Sequence, residues 1–350
     1  MSMILVFVSA VILQKMGLIG VVFAVTLGIA AYSTYGERKV AAFMQDRIGP
    51  NRAGPFGLLQ PLADGVKMFT KEDFIPKDAN RLLFILGPGI FIFVALMTSA
   101  VIPWGTTLTA FGLNMDLQVT DVNIGILYVM GFVSLGVYGI MIGGWASNNK
   151  YSLYGAIRAS SQMISYELAM GLSVIAIVML TGTLSLRGIA EGQASTWLGF
   201  IPHWNVFLQP LGFFIFFVCA LAETNRAPFD LPECETELVG GYHTEYSAMK
   251  LGFFLFAEYI NMFISSAVIA TVYFGGYNFP GLDPAWLWGF MGPVVLFAKI
   301  FFFIFVFMWI RWTLPRFRYD QLMHLGWKVL IPLAILNMVL TGGGILALGG

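Results

Sequence analysis

Long apolar runs separated by short polar stretches dominate this chain, and about 20 such residues are needed to cross about 30 Å of hydrocarbon as a helix. Eight runs qualify, at 4–35, 82–104, 123–144, 162–181, 206–222, 251–274, 287–310 and 329–348. The pattern predicts an all-α polytopic membrane protein with about eight transmembrane helices. The first run would reach about 48 Å if fully helical and upright, so it is expected to tilt, or to start at the surface with Lys15 snorkelling. No basic stretch precedes it and no small-residue cleavage site follows, so it is expected to stay on the protein. After it, Gly49, Pro50, Gly54, Pro55, Gly57 and Pro61 predict turns. Leu58, Leu59, Leu62, Val66 and Phe69 then recur with helical spacing, which predicts an amphipathic helix at the interface with Asp64, Lys67 and Lys71 on its polar face.

The distribution of positive charge orients these runs. Sixteen of the 19 Lys and Arg fall in loops on one side, Arg187 alone faces the other, and Lys15 and Lys299 lie within apolar runs. Cytoplasmic loops retain the basic excess. The loops at 36–81, 145–161, 223–250 and 311–328 are therefore expected to be cytoplasmic and both termini to face outward, into the periplasm of a bacterium. No internal repeat, low-complexity tract or linker interrupts the chain, so residues 1–350 are expected to form a single transmembrane domain.

Two features depart from a plain helical bundle. The loop from Glu223 to Lys250 carries six acids against two bases, reversing the charge of its side, and it interleaves them with Phe229, Leu231, Leu238, Val239, Tyr242 and Tyr246. A solvated acidic loop seldom carries so much apolar surface. This one is expected to dock on a partner or to line a cavity, with Phe229 and Leu231 as docking residues. The second feature is charge inside the spans: Glu167, Glu258 and Lys299, with Glu223 at the inner end of the fifth. An isolated charge at mid-bilayer costs about 2.5–3.5 kcal/mol on insertion scales. These residues are expected to pair in the protein interior, either as a packing device or as a proton or charge relay.

Composition limits the chemistry further. The chain has 58% hydrophobic and 11% charged residues, with 19 acids against 19 bases, so nothing suggests nucleic-acid binding. Cys219 and Cys234 form no CxxC, and His203, His243 and His324 lie outside the apolar runs. No metal, haem or iron–sulfur site is expected, and electrons would have to come from a partner or a bound substrate.

Four segments carry a resemblance: ERKVAAFMQDRIGPNRAGPFGLLQPLADGVKMFTKED, GWASNNKYSLYGAIRASSQMISYE, AETNRAPFDLPECETELVGGYHTEYS and LPRFRYDQLMHLGWK. In this order, and across nearly the whole chain, they closely resemble the family of membrane subunits of NADH:quinone oxidoreductase, respiratory complex I, whose mitochondrial member is called subunit 1. The resemblance implies a chain with no cofactor of its own, a quinone as substrate, and FMN and iron–sulfur clusters in partner subunits. The implied partners are the peripheral quinone-binding and terminal iron–sulfur subunits, small membrane subunits, antiporter-like subunits and membrane lipid, in a cell inner membrane. It implies that Glu37, Arg38, Arg47, Asp64 and Lys67 line a quinone chamber or its entrance. Asp230, Glu233, Glu235, Glu237 and Glu245 would belong to an acidic coupling and docking loop. Glu167, Glu223, Glu258 and Lys299 would begin a buried charge relay toward proton pumping, and Arg158, Arg311 and Arg316 would be basic residues of the cytoplasmic side. Some relatives carry a further acid in the third span, where this chain has Tyr128, Ser134 and Tyr138, so water or a neighbouring polypeptide would have to bridge a gap there. Related membrane subunits also serve hydrogenases and other dehydrogenases, and a stand-alone ion-coupled transporter is a further reading of buried charges in eight spans.

Overall fold

A computed structural model describes residues 2–110, 113–197, 201–232 and 235–347, except the side chains of 2–11, 110, 113, 201, 235 and 236. In chain order the helices are α1 (Ser2–Met44), α2 (Gln60–Thr70), α3 (Arg81–Thr98), α4 (Gly125–Ala146), α5 (Lys150–Thr181), α6 (Leu186–Gly192), α7 (Asn205–Leu208), α8 (Pro210–Glu223), α9 (Glu235–Leu238), α10 (Ala248–Tyr273), α11 (Met291–Thr313), α12 (Tyr319–His324) and α13 (Ile331–Ala347). Two small antiparallel hairpins, β1 (Thr107–Ala110) with β2 (Leu113–Asp116) and β3 (Thr196–Trp197) with β4 (Ile201–Pro202), lie in the connections at one end of the bundle.

Among the described residues seven helices are long and apolar enough to cross a membrane, and the protein is an all-α multi-pass membrane protein. The expected fifth span is shorter. It is broken at Gln209, where α7 gives way to the 14-residue α8. Its length is about 21 Å, and polar side chains meet at its N-terminal end. Gln209 donates to Thr341 on α13 at 2.7 Å and accepts from Asn337 at 2.8 Å.

Several helices run beyond the apolar segments that signal them. α1 has 43 residues, and α5 starts at Lys150 rather than near 162. The expected loop at 145–161 is thus reduced to a turn ending at Asn149, whose side chain caps α5 by accepting the Tyr151 amide at 2.9 Å. Hydropathy marks the apolar part of a helix, and polar residues such as Lys150 and Arg158 continue the same helix beyond it. The last span likewise begins at Tyr319 and passes through a π-helical segment at Leu325–Leu330 before α13. Helices α3 and α4 approach closely because their facing residues are glycines. A Cβ on Gly87 would lie 2.8 Å from the Gly143 Cα, so any larger residue would force the pair apart.

α10 runs through the centre of the bundle, packed by α1, α3 and α11, and buries Phe254, Ala257, Ile260 and Phe263 completely. The expected interfacial helix is α2. Its Leu62, Val66 and Phe69 are exposed, while its polar face turns back onto α1 through an Arg38–Asp64 ion pair of 2.8 Å.

Candidate functional site

Where α1, α2, α10 and the C-terminal end of α11 meet, they line a cavity of about 260 Å³. The expected chamber residues Glu37, Arg38, Asp64 and Lys67 all line it, together with Glu258 and Arg311 from the relay and basic sets. Apolar surface from Ala31, Met68, Leu255 and Phe256 completes the wall. Arg47 does not join them. It is exposed beyond the end of α1 and donates to Gln45 at 2.7 Å.

The polar wall is organised by Arg226, a residue that sequence reasoning only counted among the bases. Its guanidinium is 2.9 Å from Glu37 and 3.8 Å from Glu258, and it stacks 4.0 Å from the centre of the Tyr259 ring. Glu37 also meets Arg311 at 2.5 Å and accepts from the Tyr259 hydroxyl at 2.9 Å. Glu258 accepts from Tyr242 at 2.8 Å. Glu37, Arg226 and Glu258 are all less than 10% exposed, so two carboxylates and two guanidiniums balance in a region of low dielectric. Such ions persist out of water only when each is paired and hydrogen-bonded. One signal did point to Arg226: it is the only Lys or Arg in the 24 residues after Glu223.

The acidic loop delivers Arg226 to this place, and the chain's own helices hold the loop down. Gln162 of α5, fully buried, donates to the carbonyls of Ala222 at 2.7 Å and Phe229 at 2.9 Å. Phe229 packs edge-on against Tyr166 and beside Phe317. Tyr246 donates to the carbonyls of Phe84 and Gly143 at 3.1 and 3.2 Å. Burial raises the pKa of this phenol above its ordinary value, which keeps it a neutral donor. Phe229, Leu231, Leu238, Tyr242 and Tyr246 are therefore core residues of this chain, and the expectation that Phe229 and Leu231 dock on a partner is corrected. Of the six interleaved apolar residues, Val239 alone is exposed. The alternation of acids and apolar residues arises because the loop folds inward over α5 and α10.

The remaining acids of the loop serve different contacts. Asp230 pairs with Arg316 at 2.9 Å, and Glu237 pairs with Arg158 at 2.6 Å near the surface. Glu245 accepts from Asn149 at 2.5 Å. Glu233 lies outside the described residues, as does the side chain of Glu235.

A second acidic pair sits between α5 and α8. Glu167 and the buried Glu223 lie within electrostatic range of one another. Ser134 of the third span donates to Glu167, so a neutral hydroxyl meets this carboxylate from α4. Lys299 does not join any of these acids. Its ammonium donates to the carbonyls of Phe274, Gly276 and Asn278 at 2.6–2.7 Å and lies over the Trp204 ring. Sixteen residues of α10 separate this point from Glu258, about 24 Å along the helix. The lysine caps the far end of the helix that carries Glu258, and the expected Glu–Lys pairing is not formed. Among the described residues no group of three or more His, Cys, Asp and Glu could hold a metal ion.

Gln162 offers a test of how the loop is held. Replacing it with leucine would leave the Ala222 and Phe229 carbonyls without their shared donor, at a cost of about 2–3 kcal/mol. Faster limited proteolysis between residues 223 and 246 is the expected outcome, and an unchanged cleavage rate would show that the loop is held elsewhere.

Similarity to known proteins spans nearly the whole chain. The family model described as NADH dehydrogenase matches residues 16–342. An NADH-quinone oxidoreductase subunit from Cytophaga hutchinsonii is 64% identical over 340 residues, which cover 96% of this chain and 97% of the relative. The corresponding NADH-quinone oxidoreductase subunit from Flavobacterium johnsoniae is 62% identical, covering 97% of each, and that from Thermomicrobium roseum is 52% identical, covering 92% of this chain and 93% of the relative. With matches of this extent running through the cavity, the acidic loop and the buried carboxylates, the chain belongs to the NADH dehydrogenase family.

Proposed function

We propose that this chain is the quinone-path membrane component of a proton-translocating NADH:quinone oxidoreductase in the inner membrane of a bacterium, its basic loops cytoplasmic and its termini periplasmic. In this role it forms the wall of the quinone path and carries the charge that links quinone reduction to proton pumping. The observation that carries the reading is the balanced cluster of Glu37, Arg226, Arg311 and Glu258, held at the wall of a cavity that also presents apolar surface from Ala31, Met68, Leu255 and Phe256. An apolar wall suits a quinone ring and its tail, and paired ions beside it can respond to the protons and electrons that the ring takes up. Two electrons supplied by flavin and iron–sulfur clusters of partner subunits, with two protons, convert quinone to quinol. Glu167 and Glu223, with Ser134 between spans, extend the polar path laterally toward antiporter-like subunits.

Gentle solubilisation of membranes containing the tagged chain tests the assignment. Inhibitor-sensitive NADH:quinone reduction, flavin and iron–sulfur signals are all expected to follow the tag. Co-purification with a hydrogenase or with another dehydrogenase would replace the electron donor. Isolation of the chain alone, folded and without redox groups, would overturn the assignment.

A further inference from the structure

We infer that a groove at the end of the bundle nearest the chain termini binds a single phospholipid, with its acyl chain between α1 and α11 and its headgroup at Lys15. The groove, of about 230 Å³, is walled by Leu18, Val22 and Val25 of α1, by Trp104, and by Pro293 and Phe297 of α11. No polar surface lines it. Its α1 wall is a stripe spaced three and four residues apart, running about 10 Å inward from Leu18 to Val25.

A polar recess shares Leu18 with the groove and continues it outward. Lys15, Asn114 and Asp116 line this recess. The Lys15 ammonium donates one hydrogen bond, to the Gln118 carbonyl at 2.8 Å, and has two protons left for a phosphate. Asp116 is half exposed and only distantly paired, 4.0 Å from Arg187, which leaves it facing a positive headgroup. A phosphate beside Lys15 and an amine beside Asp116 make a zwitterionic aminophospholipid the matching ligand.

Depth agrees with this order. From Lys15 to Glu37 α1 rises about 33 Å, close to the thickness of the hydrocarbon layer. Lys15 is thus at headgroup level and the stripe from Leu18 to Val25 at acyl level. Trp286 and Trp288, both exposed, lie in the connection that leads into α11 at the same end, as aromatic residues do at a membrane interface.

The test uses the complete complex in nanodiscs of phosphatidylcholine with a trace of phosphatidylethanolamine carrying a diazirine on its acyl chain. After illumination, adducts are mapped by mass spectrometry. Adduct density on residues 18–25 and 290–297 is expected to exceed that on the lipid-exposed stretch 335–340 of α13. Lys15→Glu should reduce groove adducts about fivefold while leaving α13 labelling unchanged. Val21→Trp, at a half-exposed position on the groove wall, should block adducts at 22–25 without disturbing the core. Equal labelling of groove and α13, insensitivity to Lys15→Glu, or adducts on another polypeptide seated over the groove would each overturn the assignment.

Discussion

Arg226→Met is expected to lower NADH:quinone reduction by more than about tenfold, the largest effect of any single change in this chain. The side chain neutralises Glu37 at 2.9 Å, reaches Glu258 at 3.8 Å and stacks on Tyr259. Methionine can fill some of that volume but removes the buried positive charge that Glu37 and Glu258 share. Removing one partner of a buried ion pair costs about 3–5 kcal/mol, and a barrier raised by only 1.4 kcal/mol already slows a reaction about tenfold. Lysine at the same position should recover only part of the rate, because a point charge on a flexible stem cannot stack on Tyr259 and bridge two carboxylates together. Combining Arg226→Met with Glu258→Gln restores charge balance, and this double variant should assemble better than Arg226→Met alone. Blue-native gels and quinone-reductase rates of the purified complexes measure both effects. Wild-type turnover in Arg226→Met would show that the cluster serves only to pack helices.

Glu258→Gln, the second large effect, separates charge from structure. The amide oxygen can still accept the Tyr242 hydrogen bond that the carboxylate accepts at 2.8 Å, and the volume is nearly unchanged, so the complex should assemble normally. The negative charge facing Arg226 is lost, and with it the ability to bind and release a proton. NADH-driven acidification of proteoliposomes should fall more than about tenfold, with a smaller loss in quinone reduction measured with an uncoupler present. Normal pumping in this variant would remove Glu258 from the coupling path.

The spans were legible in the sequence because hydropathy responds to lipid contact, and each predicted run contains the core of an observed helix. Their ends were not, because the first turns of α5 and the last turns of α1 carry polar and charged residues on continuous helix, where composition resembles that of a loop. The buried acids were legible for the converse reason, as isolated charges in apolar surroundings. Arg226 was missed because its partners, Glu37 and Glu258, lie 189 and 32 residues away in sequence. Phe229 and Leu231 show the same limit. Their apolar character was plain, but whether it faced a partner or the chain's own α5 depended on Gln162, whose hydrogen bonds to backbone carbonyls leave no mark in a charge or hydropathy pattern. Lys299 also found carbonyls where an acid was expected.

That last contact bears on how the protein is made. A lysine in the seventh span opposes partition from the translocon into lipid by about 2.5–3.5 kcal/mol near mid-bilayer. Its three acceptors, the carbonyls of Phe274, Gly276 and Asn278, lie only 21–25 residues upstream, in the turn that ends α10. The sixth span therefore carries the solvation that the seventh requires, and the two are suited to leave the translocon together as a helical hairpin before the remaining bundle closes around them.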